Sequence, residues 1–143
     1  PDEHDLEMKW SWEGDETDEE SKLRAETRKI LELPDLPLSP TTVRVPVMVG
    51  HAEAVWVELE EELSPEQAEQ LLAAAPSVRI VDVPTPGLAT QADDVLVGRI
   101  RPDRAGEGPG LALFLACDNL NKGAALNAIQ IAELVLAPAR ATA

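Results

Sequence analysis

Apolar and polar positions recur along this chain with periods that define most of its elements. In "DLEMKWSWE", residues 5–13, Leu6, Met8, Trp10 and Trp12 alternate with Asp5, Glu7, Lys9 and Ser11, the two-residue period of a half-buried strand. The acidic run that follows opens a helix. Thr17 can cap it with Glu20 as reciprocal partner three residues on, and Leu23, Thr27, Ile30 and Leu31 form an apolar stripe. Pro34, Pro37 and Pro40 then hold the chain extended. Strands are expected around 43–49 and 54–59. A second helix begins at Ser64, with Pro65 at its first position and Gln67 as box partner, and Pro76 ends it. "VRIVDV" (78–83) is a short strand, "PTPGLATQADD" (84–94) a loop and "VLVGRIRP" (95–102) a strand. "DRAGEGPG" (103–110) is a turn leading into the buried strand "LALFLAC" (111–117).

In the last helix, about 121–136, the polar residues Asn127, Gln130 and Glu133 recur every three, while from Ala124 on alanines, leucines, isoleucines and Val135 fill the rest of its circumference. Such a helix needs cover on more than one side, and another domain or subunit is expected to supply it. The order β-α-β-β-α-β-β-β-α, with several short connections, predicts an α+β fold with a mainly antiparallel mixed sheet covered by helices. The 143 residues fit a single domain, 1–143.

Only Trp10, Trp12, Trp56 and Phe114 are aromatic, so the core must be aliphatic. One cysteine, Cys117, excludes an internal disulfide and any Cys-rich metal site, and suits a reducing, cytoplasmic setting. A net charge of −15 argues against nucleic-acid backbones and anionic membranes, and no apolar run is long enough to span a bilayer. The first residue is Pro1 rather than Met, as in a fragment or a processed product.

Candidate chemistry is sparse. "GEGPG" (106–110) lacks the following helix and Lys-Ser/Thr pair of a phosphate loop. His4 and His51 have no cysteines at ligand spacing, so no metal site is expected. Cys117 ends an apolar strand, where a free thiol is commonly a small hydrophobe, and a hydrolase built on it would need a histidine within hydrogen-bond reach. Glu19, Lys22, Glu26 and Lys29 share a helical face, the spacing of a solvated ion-pair ladder. In "VRVPVMVGH" (43–51), Arg44 suits carboxylate or phosphate binding and His51 suits proton transfer. In one straight strand, seven steps of roughly 3.3 Å would hold them about 23 Å apart on opposite faces. Pro46 and Gly50 are the residues able to bend it.

Five stretches together, "DEESKLRAETRKIL" (18–31), "VRVPVMVGHAEAV" (43–55), "VDVPTPGLA" (81–89), "DDVLVGRIRPD" (93–103) and "DNLNKGAALNAIQIAEL" (118–134), resemble aspartate-semialdehyde dehydrogenases in order and spacing. The resemblance is strong over about 14–137. It covers the second, substrate-binding and dimerisation domain, a fold like the C-terminal domain of glyceraldehyde-3-phosphate dehydrogenase-like enzymes. The dinucleotide-binding domain and the nucleophilic cysteine lie outside what is matched. The resemblance implies that Arg44 grips the substrate carboxylate, His51 is the catalytic acid/base, Glu19 binds substrate, Lys22 belongs to a phosphate site and Asn119 contacts NADP.

The implied reaction is reductive dephosphorylation of aspartyl phosphate to aspartate semialdehyde with NADPH, for lysine, threonine and methionine synthesis. The implied partners are a second copy of the chain, the missing dinucleotide-binding domain and a small-molecule substrate. The chain alone is expected to be inactive and to hold no NADP. Two departures stand out: residues 1–13 do not resemble the family's apolar strand, and Asn121 stands where Arg is common. The alternative is an engineered or structural scaffold on this fold without catalysis.

Overall fold

The computed structural model describes residues 11–140, and the chain divides between Pro46 and Val47 into two compact units. In the first, a short hairpin of β1 (Trp12–Glu13) and β2 (Glu16–Thr17) leads directly into α1 (Asp18–Ile30). The helix starts where its cap chemistry requires. Thr17 Oγ1 accepts from the Glu20 N–H at 3.3 Å, and Glu20 Oε2 accepts from the Thr17 N–H at 2.9 Å. Glu20 Oε1 also accepts from the Thr42 N–H at 2.8 Å, so one carboxylate fastens the helix start to the returning chain. These backbone donors, Thr17 first and then Thr42, hold the Glu20 carboxyl below its ordinary value. No residue of α1 is buried, and the expected stripe is largely open, with Ile30 78% exposed. Of the strand expected at 5–13, Leu6, Met8 and Trp10 lie outside the described residues.

The second unit contains β3 (His51–Glu58), α2 (Pro65–Ala73), β4 (Val78–Ile80), α3 (Pro86–Ala89), β5 (Val95–Pro102) and β6 (Gly110–Cys117). A π-helical turn, Asn121–Ala125, then leads into α4 (Leu126–Arg140). The strand order is β3-β6-β5-β4. β3 and β5 flank β6 antiparallel, while β4 joins β5 in parallel. The fold is α+β with a mixed, mainly antiparallel sheet. Ser64 and Gln67 form the second capping box, with Pro65 opening α2.

Two local expectations require correction. Residues 43–49 are not a strand: the backbone is irregular from 41 to 50, bends at Pro46, Met48 and Val49, and becomes a strand only at His51. The valine alternation is genuine, but Pro46 removes a ladder donor. Val43, Val45, Val47 and Met48 are exposed, so no buried face rewards the pattern. The second correction is α3, inside the expected loop. Thr85 Oγ1 accepts from the Leu88 N–H at 3.1 Å, a cap on a helix too short to show a periodicity.

The core is small and aliphatic. Leu96 of β5 and Ala116 of β6 are register partners and therefore share a face, and Ala89 of α3 packs with them; all three are fully buried. Gly98, two residues on, is required by close packing. A Cβ there would stand 1.9 Å from the Val81 carbonyl oxygen and 3.0 Å from Pro84 Cδ, and Pro84 is itself fully buried. Just past it, the β5–β6 register shifts between Gly98 and Arg101, with Arg99 at φ +57°.

The last helix is open, as its composition predicts. Ile129, Ile131, Leu134, Val135 and Leu136 are all more than half exposed. Gln130, on its polar side, donates to Ser77 Oγ at 3.4 Å and accepts from Lys122 Nζ at 2.6 Å. Among the described residues, no helix is long and apolar enough to cross a membrane.

Gly98→Ala is expected to destabilise the second unit by about 2 kcal/mol or more, because backbone rather than a flexible side-chain end must yield. Gly87→Ala, whose Cβ meets nothing within 4 Å, should change stability by no more than about 0.5 kcal/mol. Urea unfolding of the two variants checks both values.

Candidate functional site

The head of β3 and the tail of β6 meet where the antiparallel ladder ends, with His51 paired to Cys117. Immediately beyond Cys117 the chain turns, and Asp118 organises the turn. Its Oδ2 accepts from the Gln91 N–H at 2.8 Å, and its Oδ1 accepts from the Leu120 and Asn121 N–H groups at 2.9 Å. Its own carbonyl accepts from the Gly123 N–H at 2.8 Å. Asp118 is buried. The N–H donors of Gln91 first, then of Asn121, keep its carboxyl below the ordinary carboxylate range. Asn121 adds a strut, its Nδ2 donating to Asp93 Oδ1 at 2.8 Å.

Asn119 reaches back across the sheet end, and its Oδ1 accepts from the Gly50 N–H at 2.8 Å. Gly50 is buried at φ +102°. Its missing side chain matters, because a Cβ would lie 3.1 Å from Pro86 Cβ. His51 follows as an exposed imidazole at the first ladder position.

Cys117 stands opposite that histidine, a neighbour that sequence spacing concealed. Partly buried, its thiol is pushed up, chiefly by desolvation and further by the Glu53 and Asp118 carboxylates, against a smaller opposing effect of Lys122. The sulfur accepts and donates no hydrogen bond among the described residues. This environment disfavours the thiolate, the reverse of what a nucleophile needs.

Glu19, Lys22 and Arg44 belong to the first unit. Arg44 Nη2 donates to Glu19 Oε1, with both side chains about two-fifths exposed. Glu19 therefore leaves the expected helical ladder to meet a residue 25 positions away. Lys22 stays in the ladder, 3.8 Å from Glu26 and open to water. Such a pair contributes only a few tenths of a kcal/mol, so Lys22 is easily released to another anion. The structure thus brings Glu19 and Arg44 together in the first unit, and Asn119 and the backbone leading to His51 together in the second.

Sequence reasoning named Gly50 as a bend point but missed Asp118 as the fixed point of the turn beside it. The available signal was "DN" between an apolar strand and a helix, since aspartate at a helix start commonly takes the first free N–H groups. Among the described residues, no group of three or more His, Cys, Asp or Glu could hold a metal ion.

Comparison with known proteins matches residues 11–122 to the family model described as semialdehyde dehydrogenase, dimerisation domain. Aspartate-semialdehyde dehydrogenase of Mycolicibacterium smegmatis is 56% identical over 123 residues, covering 85% of this chain and 36% of the relative. The Corynebacterium melassecola enzyme is 55% identical over 122 residues, with the same coverage of each chain. Among solved structures, aspartate semialdehyde dehydrogenase II of Vibrio cholerae complexed with ASA superposes with a TM-score of 0.79 at 43% identity. That match covers 84% of this chain and 37% of the other. The Francisella tularensis enzyme gives 0.72 at 28% identity, covering 85% and 38%. The chain therefore spans little more than a third of the length of these relatives.

Asp118→Asn should lower the urea midpoint at neutral pH, because one amide oxygen cannot replace two carboxylate oxygens accepting from three N–H groups. The native Asp118 pKa lies below its unfolded value, so the wild-type advantage is complete above about 3.8, the ordinary value. It fades as pH falls through the lower, folded value. Urea titrations at neutral and acid pH should show the two proteins converging on acidification.

Proposed function

The chain belongs to the semialdehyde dehydrogenase dimerisation-domain family, and we propose that it is the substrate-binding and dimerisation domain of an NADP-dependent aspartate-semialdehyde dehydrogenase. The observation that carries this reading is 56% identity over 123 residues to an enzyme of that name, spanning 85% of this chain. The same alignment covers 36% of the relative, so the reading assigns the nucleophilic cysteine and the dinucleotide-binding domain to polypeptide outside these residues.

Within that division of labour, this chain supplies binding and proton transfer. Arg44 offers a planar guanidinium, suited to a two-point grip on the substrate carboxylate. In the free chain Glu19 occupies that guanidinium, so the substrate carboxylate shares or displaces it. Lys22, held only by an exposed pair with Glu26, offers a cation to the phosphate of aspartyl phosphate. His51, exposed at the head of β3, takes the proton from the attacking thiol as general base. It returns a proton when the intermediate collapses.

A dinucleotide needs a glycine-rich strand-to-helix turn for its phosphates, and 106–110 instead joins two antiparallel strands, β5 and β6. The one NADP contact this reading gives to the chain is the Asn119 amide. When bound, NADPH supplies hydride to the reaction; the residues that hold it are assigned to the other domain. The open apolar side of α4 is consistent with cover by that domain, and the family supports a homodimer.

Titration of the 15N-labelled chain with aspartate semialdehyde should perturb Arg44, Glu19, Lys22 and the His51 ring together, with a Kd near millimolar, about 4 kcal/mol. A response confined to Arg44 would defeat the site assignment. In a 340 nm assay the chain alone should reduce no aspartyl phosphate. Activity that disappears in Cys117→Ser would overturn the division of labour.

A further inference from the structure

The geometry points to Asn119 as a positioning residue for His51, acting through the backbone of Gly50; this deepens the reading of His51 as the acid/base and rests on it. Upstream of His51 the chain is irregular from 41 to 50 and belongs to no ladder. His51 itself sits at the terminal pair of β3 and β6, where a strand end is held least. What fixes the imidazole's direction is therefore the residue just before it.

Gly50 is held in three ways. Its φ of +102° lies where L side chains are rarely found, and Pro86 of α3 packs where a Cβ would be, at 3.1 Å. Its N–H is buried with the residue and needs an acceptor. Asn119 Oδ1 provides it at 2.8 Å, from 69 residues away. That atom must be the amide oxygen, because an N–H donor requires an acceptor.

Asn119 is a firm anchor. Its neighbour Asp118 accepts from three backbone N–H groups through its side chain and from Gly123 through its carbonyl. The bond thus transfers the rigidity of the turn after β6 to the approach to β3. It also divides the Asn119 side chain by atom. The oxygen is committed to Gly50, and Nδ2, which makes no hydrogen bond among the described residues, is left to face a ligand.

That division makes the two roles separable. Asn119→Asp keeps the acceptor and loses the donor, while Asn119→Ala loses both. In the 15N,13C-labelled chain, Asn119→Ala should raise hydrogen exchange at the Gly50 amide at least about tenfold. It should also move the His51 ring resonances toward those of an unstructured peptide, with Leu96 and Ala116 amides still protected. Asn119→Asp should restore both readouts, a rescue that general loosening of the fold would not produce. Unchanged Gly50 exchange and His51 resonances in Asn119→Ala, or no rescue by Asp, would overturn the assignment. If Asn119→Ala loses protection at Leu96 and Ala116, Asn119→Ser, too short to reach Gly50, replaces it under the same two outcomes. The readout uses no substrate, so it succeeds or fails separately from the aspartate semialdehyde titration that tests the acid/base role of His51.

Discussion

A single carboxylate, that of Asp118, ties the second unit together at its chemically interesting end. Three segments converge on it: the stretch after α3 through Gln91, the end of β6, and the start of the last helix through Leu120 and Asn121. Each donor is a backbone N–H in a part-buried turn, and the buried carboxylate that accepts from all three would be costly to leave without them. The neighbouring Asn119 then holds Gly50. Removing the carboxylate would therefore loosen a helix start, a loop and a strand head together. The first unit uses the same device on a smaller scale, with Glu20 accepting from Thr17 and Thr42.

Much of this architecture was legible because the signals are local. Both capping boxes, Thr17 with Glu20 and Ser64 with Gln67, form as the spacing predicts, since a cap depends only on residues three apart. The strands at 95–102 and 110–117 are equally plain, their apolar content matching burial on the sheet. The failure at 43–49 has a specific cause. The alternation predicts a strand, but Pro46 removes a ladder donor and, among the described residues, 43–49 pairs with no strand. α3 escaped because four residues carry no period.

The site was legible only in part, for a reason of distance along the chain. The Asn119–Gly50 bond spans 69 positions and the Glu19–Arg44 pair spans 25, and no window on the sequence contains either. Family resemblance pointed to the individual residues but not to these contacts. Nor did it indicate that Cys117 would face His51 across the ladder. Desolvation and two carboxylates keep that thiol protonated, so proximity to a histidine does not by itself make a nucleophile.

The π-helical turn at Asn121–Ala125 has a consequence for α4. A π turn holds about one residue more than an α turn, and each residue of an α-helix advances the azimuth by about 100°. Five residues of the π turn therefore carry the chain about as far around the axis as four of an α turn would, so the uncovered row from Ile129 to Leu136 keeps nearly the bearing it would have without the extra residue. Loss of one codon in that segment would let ordinary i to i−4 bonding resume, with the row still aimed as before. The same loss further along α4 would turn every later apolar side chain by about 100°.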